Sequence, residues 1–283
     1  MIELNGNQYG LCLVDTNAAS EMSKYPAREF RNFLEWSLTD KPTMIPCFSM
    51  FTIMELRRKP TVYEQFLETF SPFPIAILKS HEQLLAEEVD SYPNPMVINP
   101  ILHAFTGLAS SPDNRMKNVF DKLFDTSEAQ SQERMWLDGR DSAIAGMLSL
   151  VKNYPPEENK YTSREIRTFL EIAVIQQLAS RFMQFAKSYV DADNAINIDA
   201  FPSLKISLFT AFYKFYVDNR RPSQSDVFDI VIAAPTPYVD AVITERHQAE
   251  VLRKIKRRDE FIEKLQVFIL KDFRSSRIET AGS

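Results

Sequence analysis

Six carboxylates stand where their surroundings demand a partner. Asp15 ends the apolar run 11–14. Glu55 sits inside Phe51-Thr52-Ile53-Met54-Glu55-Leu56, where a carboxylate must be exposed, paired or bound to a cation. Asp226 and Asp229 are three apart, so on a helix they share a face. Asp229 is flanked by apolar side chains, whereas Asp226 also suits a helix N-cap. Asp240 opens a short apolar run and Glu245 closes it. If such acids converge they repel one another unless a cation lies among them. An oxygen-only set without histidine suits Mg²⁺ or Mn²⁺, and such ions activate water for in-line displacement at phosphorus. The competing roles are a turn or cap for Asp15 and a solvated helix face, paired with Arg58 or Lys59, for Glu55.

The elements that would position these acids follow from the apolar periodicity. Short apolar runs at 11–14, 44–48, 75–78, 240–244 and 265–270 read as strands. Gly10 bounds the first and Pro46 breaks the second. Helical spacing marks 30–38, 51–58, 81–89, 161–186, 201–216, 223–234 and 249–263, with Pro60 closing the helix that carries Glu55. Thr162 and Glu165 form a capping box. Strands alternating with helices predict a three-layer α/β/α fold around a parallel sheet of about five strands. Residues 96–220 read as a helical insertion between two core segments, 1–95 and 221–283. Their aromatics, among them Phe209, Phe212 and Tyr213, favour packing onto the core and walling a cleft. In Trp136-Leu137-Asp138-Gly139-Arg140-Asp141, the two acids read as a loop and helix start.

Composition narrows the function. The chain of 283 residues is 45% hydrophobic and 25% charged, ordinary for a globular protein. Only 6 glycines and no phosphate-cradling glycine motif argue against a nucleotide loop. The net charge of -5 means that a polyanion must meet a local patch. The run Arg253-Lys254-Ile255-Lys256-Arg257-Arg258 is one candidate, a solvated helix face its alternative. His81, His103 and His247 lack metal-ligand spacing, and Cys12 and Cys47 cannot build a zinc site alone. Buried free thiols in a reducing cytosol are expected instead. Neither a signal peptide nor a membrane-length apolar run is visible, so a cytoplasmic location is expected.

Four segments in this order resemble the PIN-domain family: Leu13-Val14-Asp15-Thr16-Asn17, Thr52-Ile53-Met54-Glu55-Leu56-Arg57-Arg58, Asp229-Ile230-Val231-Ile232-Ala233-Ala234, and Asp240-Ala241-Val242-Ile243-Thr244-Glu245. The stretch Pro237-Tyr238-Val239-Asp240 is similar to larger bacterial PIN-like proteins. The resemblance covers about half the chain; the block 96–220 has no counterpart in a minimal PIN domain. It implies strand order 3-2-1-4-5 and divalent-metal-dependent hydrolysis of RNA. Asp15, Glu55, Asp229 and Glu245 would then be catalytic, with Asp226 and Asp240 as further metal ligands. Asn17, Arg57, Arg58, Thr244 and Arg246 would hold substrate. The last acid, Glu245, directly follows Thr244, where small PIN domains usually carry an Asp one residue later. The alternative is a PIN-like scaffold that binds RNA or protein without cleaving. DNA as substrate, a homodimer and an inhibitory protein partner stay open.

Overall fold

The computed structural model describes residues 2–4, 7–24, 28–39, 43–92, 97–105, 112–153, 155–156, 161–185, 187 and 196–274. Strands β1 (Ile2–Leu4), β2 (Asn7–Val14), β3 (Thr43–Ser49), β4 (Ile75–Leu78), β5 (Ile101–Phe105), β6 (Ala241–Thr244) and β7 (Gln266–Ile269) form one sheet. Helices α1 (Thr16–Lys24), α2 (Glu29–Thr39), α3 (Met50–Arg57), α4 (Pro60–Phe70) and α5 (His81–Ser91) alternate with the early strands. Then come α6 (Pro112–Phe124), α7 (Ser127–Asn153), α8 (Ser163–Arg181) and α9 (Pro202–Phe212), the last running into a π-helical turn, Tyr213–Val217. Helices α10 (Gln224–Ala233) and α11 (Arg246–Lys256) flank β6.

The sheet order is β5-β4-β3-β2-β6-β7, with β1 also on β2. The expectation of about five parallel strands is therefore corrected to seven in a mixed sheet. The five strands expected form the parallel path β4-β3-β2-β6-β7, with β7 at one edge of the sheet. The two additions, β1 on β2 and β5 on β4, are both antiparallel. Strand β5 falls inside the block read as helical. It is an edge strand, mostly half-buried, so neither a continuous apolar run nor clean alternation announces it.

Alternation along the strands builds the two outer layers. Leu11, Leu13, Ile45, Cys47, Leu78 and Val242 face one core with side chains of α5, α8, α9, α10 and α11. Cys12, Val14, Met44, Phe48, Ile77 and Ile243 face the other, packed by α1, α2, α3, α4 and α6. Period-two side-chain direction is what lets one strand serve both cores, and strands covered on both faces become continuous apolar runs, as β4 is throughout and β6 is up to Thr244. The thiols of Cys12 and Cys47 are buried and free, and burial pushes both pKa values up.

Several local expectations change. Gly10 lies inside β2 rather than before it; a Cβ there would come within 2.3 Å of the Met44 sulfur. Pro46 does not break β3. The β3–β4 ladder starts only at Cys47, so Pro46 precedes the stretch with partners on both edges. Pro60 starts α4 as its first residue instead of closing a segment. Asp138 and Asp141 lie within α7, not at its start. The helix expected over 161–186 ends at Arg181, with its Thr162–Glu165 capping box present; residue 186 and the expected boundary near 95 lie outside the described residues. No helix among the described residues is long and apolar enough to cross a membrane.

A buried carboxylate joins α5 to α9. Glu88 accepts hydrogen bonds from the Ser203 amide (2.8 Å), the Ser203 hydroxyl (2.9 Å) and the Tyr238 hydroxyl (2.5 Å). Burial pushes its pKa from 4.5 to about 7, although those donors pull it down. The folded chain thus holds this proton more tightly than the unfolded chain does. The contribution to stability is full below about pH 4.5 and is lost as the pH rises through 7. Glu88→Gln should flatten the fall in stability between pH 4.5 and 7, by an amount of order 2 kcal/mol. Urea midpoints across that range test this; a slope unchanged from the wild type would assign the titration elsewhere.

Candidate active site

Four helices begin at the carboxyl edge of the parallel strands. Asp15 follows β2, Ser49 ends β3 and caps α3, Ser80 caps α5 beyond β4, and Glu245 links β6 to α11. Helix N-termini carry unpaired amides and partial positive charge, and ligands in open α/β sheets bind at this edge. A cavity of about 330 Å³ opens there. Asp15, Glu55 and Asp229, carried by widely separated stretches of chain, all line it.

Asp15 is 8% exposed. Its Oδ1 accepts from the Ala18 amide at 2.7 Å, so it caps α1. Its Oδ2 accepts from the Glu245 amide at 3.0 Å and from the Thr244 hydroxyl. The capping role read as its alternative is thus real, and the cleft position accompanies it. Three hydrogen bonds use three of about four lone-pair directions. Burial nevertheless dominates and pushes the pKa from 3.8 to about 6, against the pull of the Thr244 hydroxyl and the two amides.

Glu55 lies half-buried on α3 and accepts a hydrogen bond from the Thr16 hydroxyl. Burial raises its pKa, with the Thr16 bond and Arg58 opposing. Asp229, on α10, is paired with the Lys214 ammonium at 2.5 Å. Lys214 is fully buried and also reaches Asp226 at 3.2 Å. It comes from the π-helical turn, a distortion that proteins often place at functional sites.

Other expected site residues are placed differently. Asp226 is fully buried and does not line the cleft. Its Oδ2 accepts from the Ser223 amide (2.9 Å) and hydroxyl (2.5 Å), forming the capping box of α10. Burial alone would raise its pKa; the Ser223 hydroxyl and Lys214 outweigh that and hold it low. Asp240 sits at the opposite end of β6 from Thr244, where its Oδ2 accepts from the Leu11 amide at 2.9 Å. That distance along the strand corrects its assignment to the acidic set. Glu245 does not line the cavity, but accepts from Asn17 Nδ2 at 3.3 Å.

Asn17, Thr244 and Arg58 line the cleft, with Arg58 paired to Glu133 at 3.2 Å. Arg57 turns away to Asp125 and lines a separate hollow. Arg246 is largely exposed and pairs with Glu250 on its own helix. The basic run is partly consumed internally: Arg253 donates to the Val267 carbonyl, Lys256 to the Leu265 carbonyl, and Lys254 pairs with Asp218. Among the described residues, none of 96–220 lines the cleft. The block packs on the core instead, and its contribution comes through Lys214.

Sequence reasoning missed Lys214, Thr236 and Gln248. A lone lysine within the aromatic run 209–216 carries the same signal as Glu55, a charge in an apolar segment. Gln248 occupies the apolar face of α11 with Leu252 and Ile255, four and seven residues on. Thr236 and Gln248 lie around the cavity, but the Thr236 hydroxyl and the Gln248 amide are themselves buried and make no hydrogen bond within the protein. Burying such groups unpaired costs about 1–3 kcal/mol each.

No known protein family, curated protein or solved structure matches this chain. Its chemistry rests on its own residues. Among the described residues, no group of three or more His, Cys, Asp or Glu side chains is close enough to hold a metal ion. The three cleft acids share a cavity without converging, and Lys214 neutralises part of their charge.

Lys214 is the cation on which two acids of α10 depend. Removing one partner of a buried ion pair strands the other, so Lys214→Met should destabilise the fold by about 3–5 kcal/mol. Adding Asp226→Asn should recover much of that loss. Urea denaturation of the two singles and the double measures the coupling; a Lys214→Met loss below about 1 kcal/mol would class the pair with solvated surface pairs.

Proposed function

We propose that this protein is a PIN-like, divalent-metal-dependent ribonuclease, hydrolysing RNA phosphodiester bonds in the cleft at the carboxyl edge of its sheet. One observation carries the reading: Asp15, Glu55 and Asp229 line a single cavity at that edge. Burial raises the pKa of Asp15 and of Glu55, so both sites favour a proton or a cation beside the carboxylate. Oxygen-only side chains around the cavity suit Mg²⁺ or Mn²⁺ held mainly through water, since among the described residues no three acids converge. Mg²⁺ usually takes one or two carboxylates and completes its shell with water and substrate phosphate. Asp15 would hold it, with Glu55 or Asp229 as the second carboxylate. When bound, the ion supplies an activated water and offsets charge at phosphorus.

The remaining work falls to the chain. Arg58 and Lys59 line the cleft and are exposed, so they can meet backbone phosphates. The Arg58–Glu133 pair is partly exposed, and such pairs contribute little, so a phosphate could compete for Arg58. Thr16 orients Glu55, Thr244 orients Asp15, and Lys214 orients Asp229.

A second reading, nucleic-acid binding without cleavage, is favoured by a different observation. The Lys214 ammonium already pairs with Asp229, and among the described residues no three acids converge. The two readings part on labelled RNA and DNA incubated with Mn²⁺, Mg²⁺ or chelator. RNA cleavage that chelator stops is expected, and Asp15→Asn should lower its rate at least about a hundredfold while the circular dichroism spectrum stays unchanged. Full activity in Asp15→Asn would reduce Asp15 to a helix cap. A wild type that cleaves nothing under any condition would leave the binding reading standing.

A further inference from the structure

A second hollow, of about 360 Å³, opens beside the cleft. Its walls come from the C-terminal end of α3, the end of α6 and the first turns of α7. Three arginines line it, Arg57, Arg58 and Arg134, against two acids, Asp125 and Glu133. In a chain of net charge -5, a local excess of cation is where a polyanion has to be met. Arg58 lines both the hollow and the cleft. Its guanidinium lies 6.0 Å from the ring centre of Phe228, a cleft residue, and reaches Glu133 in the hollow at 3.2 Å. The Arg57 guanidinium lies 5.4 Å from the ring centre of Phe124, pairs with Asp125 and stands 3.9 Å from Asp121. Arg134 is exposed and makes no ion pair among the described residues.

We propose that this hollow is a subsite for backbone phosphates, so that a single RNA strand held in the cleft continues past Arg58 onto Arg57 and Arg134. The proposal rests on the reading of the cleft as an RNA site and adds the path that the strand takes out of it. The groups concerned are within reach of a ligand. The side chains of Arg57 and Arg58 are 23% and 37% exposed, and that of Asp125 is 54% exposed. Ion pairs this open to water contribute at most about 1 kcal/mol. A phosphate competes well with such acids, because a guanidinium grips it through two parallel N–H bonds. Phosphate contacts of this kind position a strand without reading its sequence. An acidic protein segment offers similar charge, but continuity with the cleft through Arg58 favours the RNA strand. The inserted block then serves the substrate from α7, outside the cleft that it does not line.

The test is fluorescence anisotropy of the full chain, in chelator, at several salt concentrations. The probes are a labelled single-stranded RNA tetranucleotide and a dodecanucleotide. The dodecanucleotide should bind more tightly, and Arg134→Gln should weaken it by about twofold to fivefold, the range of an exposed ion pair. Loss of one phosphate contact should also lower its slope of log affinity against log salt by about 0.7. The tetranucleotide, held by the cleft, should bind the variant as before. Glu133→Gln removes a competitor for Arg58 and should tighten the dodecanucleotide. Glu171→Gln removes the same charge from α8, which packs on the other face of the sheet, and should not. Melting curves verify folding, and Glu133→Gln reads the same hollow in the opposite direction should Arg134→Gln fail to fold. Cleavage with Mn²⁺ is followed in parallel. A length preference that Arg134→Gln removes supports the subsite with or without cleavage; if cleavage is absent, only the hydrolytic reading falls. Unchanged affinity and salt slope in Arg134→Gln, or a Glu133→Gln protein no tighter than Glu171→Gln, overturns the subsite even where cleavage proceeds. Polyglutamate displacing the dodecanucleotide as well as unlabelled RNA of equal charge would give the hollow to an acidic protein segment and overturn the RNA path. Failure to bind either RNA, with no cleavage, overturns both readings.

Discussion

The Asp15 carboxylate ties together parts of the chain that are 229 residues apart. It stands where β2 stops and α1 begins, and satisfies an amide of α1's first turn. Its second oxygen takes the Thr244 hydroxyl and the Glu245 amide, the end of β6 and the start of α11. The Asp15 amide donates to the Ile243 carbonyl, continuing the same junction through the backbone. A charged group so enclosed is costly, and three donors reduce that cost only in part, as its raised pKa records. The carboxyl edge is therefore fixed in shape around a group that remains electrostatically unsatisfied. On the proposed reading, this carboxylate, short of full compensation, is the one a cation would approach.

Lys214 works on the other wall. It is carried by a turn wound more loosely than an α-helix, where the Asp218 amide reaches the Tyr213 carbonyl at 2.8 Å. Asn219 follows with a positive φ of 49°, ending the segment. The ammonium thereby reaches α10 from outside the sheet, pairs with Asp226 and Asp229, and fixes the helix that carries the third cleft acid. Charge balance in the cleft is divided: one wall relies on hydroxyls and amides, the other on a buried ammonium.

Much of this was legible in the residues. Apolar runs ending in an acid located β2 and β6, and an acid within an apolar helix located Glu55. Buried parallel strands need continuous apolar sequence, and that is easily read. What stayed hidden depends on partners remote in sequence. Asp240 reads like Asp15, an acid at the edge of an apolar run, yet it serves the Leu11 amide in the interior of the sheet. Pro60 reads equally well as an end or a beginning, since proline suits the first helical position. Strand β5 lacks a pattern because its pairing, rather than its side chains, defines it. Gln248 carried a usable signal, a polar residue on an apolar helical stripe.

The edge of β2 is divided between two unrelated neighbours. Strand β3 runs along one side of it. On the other side β1 pairs with residues 7–9 and β6 with residues 12–14, while Asp240 bridges the interval at Leu11. During synthesis these neighbours arrive at very different times. β1 precedes β2, but Thr244 emerges 229 residues after Asp15, a delay of roughly 10–45 s at typical elongation rates of ~5–20 residues per second. For that interval the nascent sheet presents an apolar strand open to foreign pairing, the hazard that edge strands pose. Strand β1 covers only the polar start of β2, residues 7–9, so the apolar residues 12–14 keep that edge open until β6 is made.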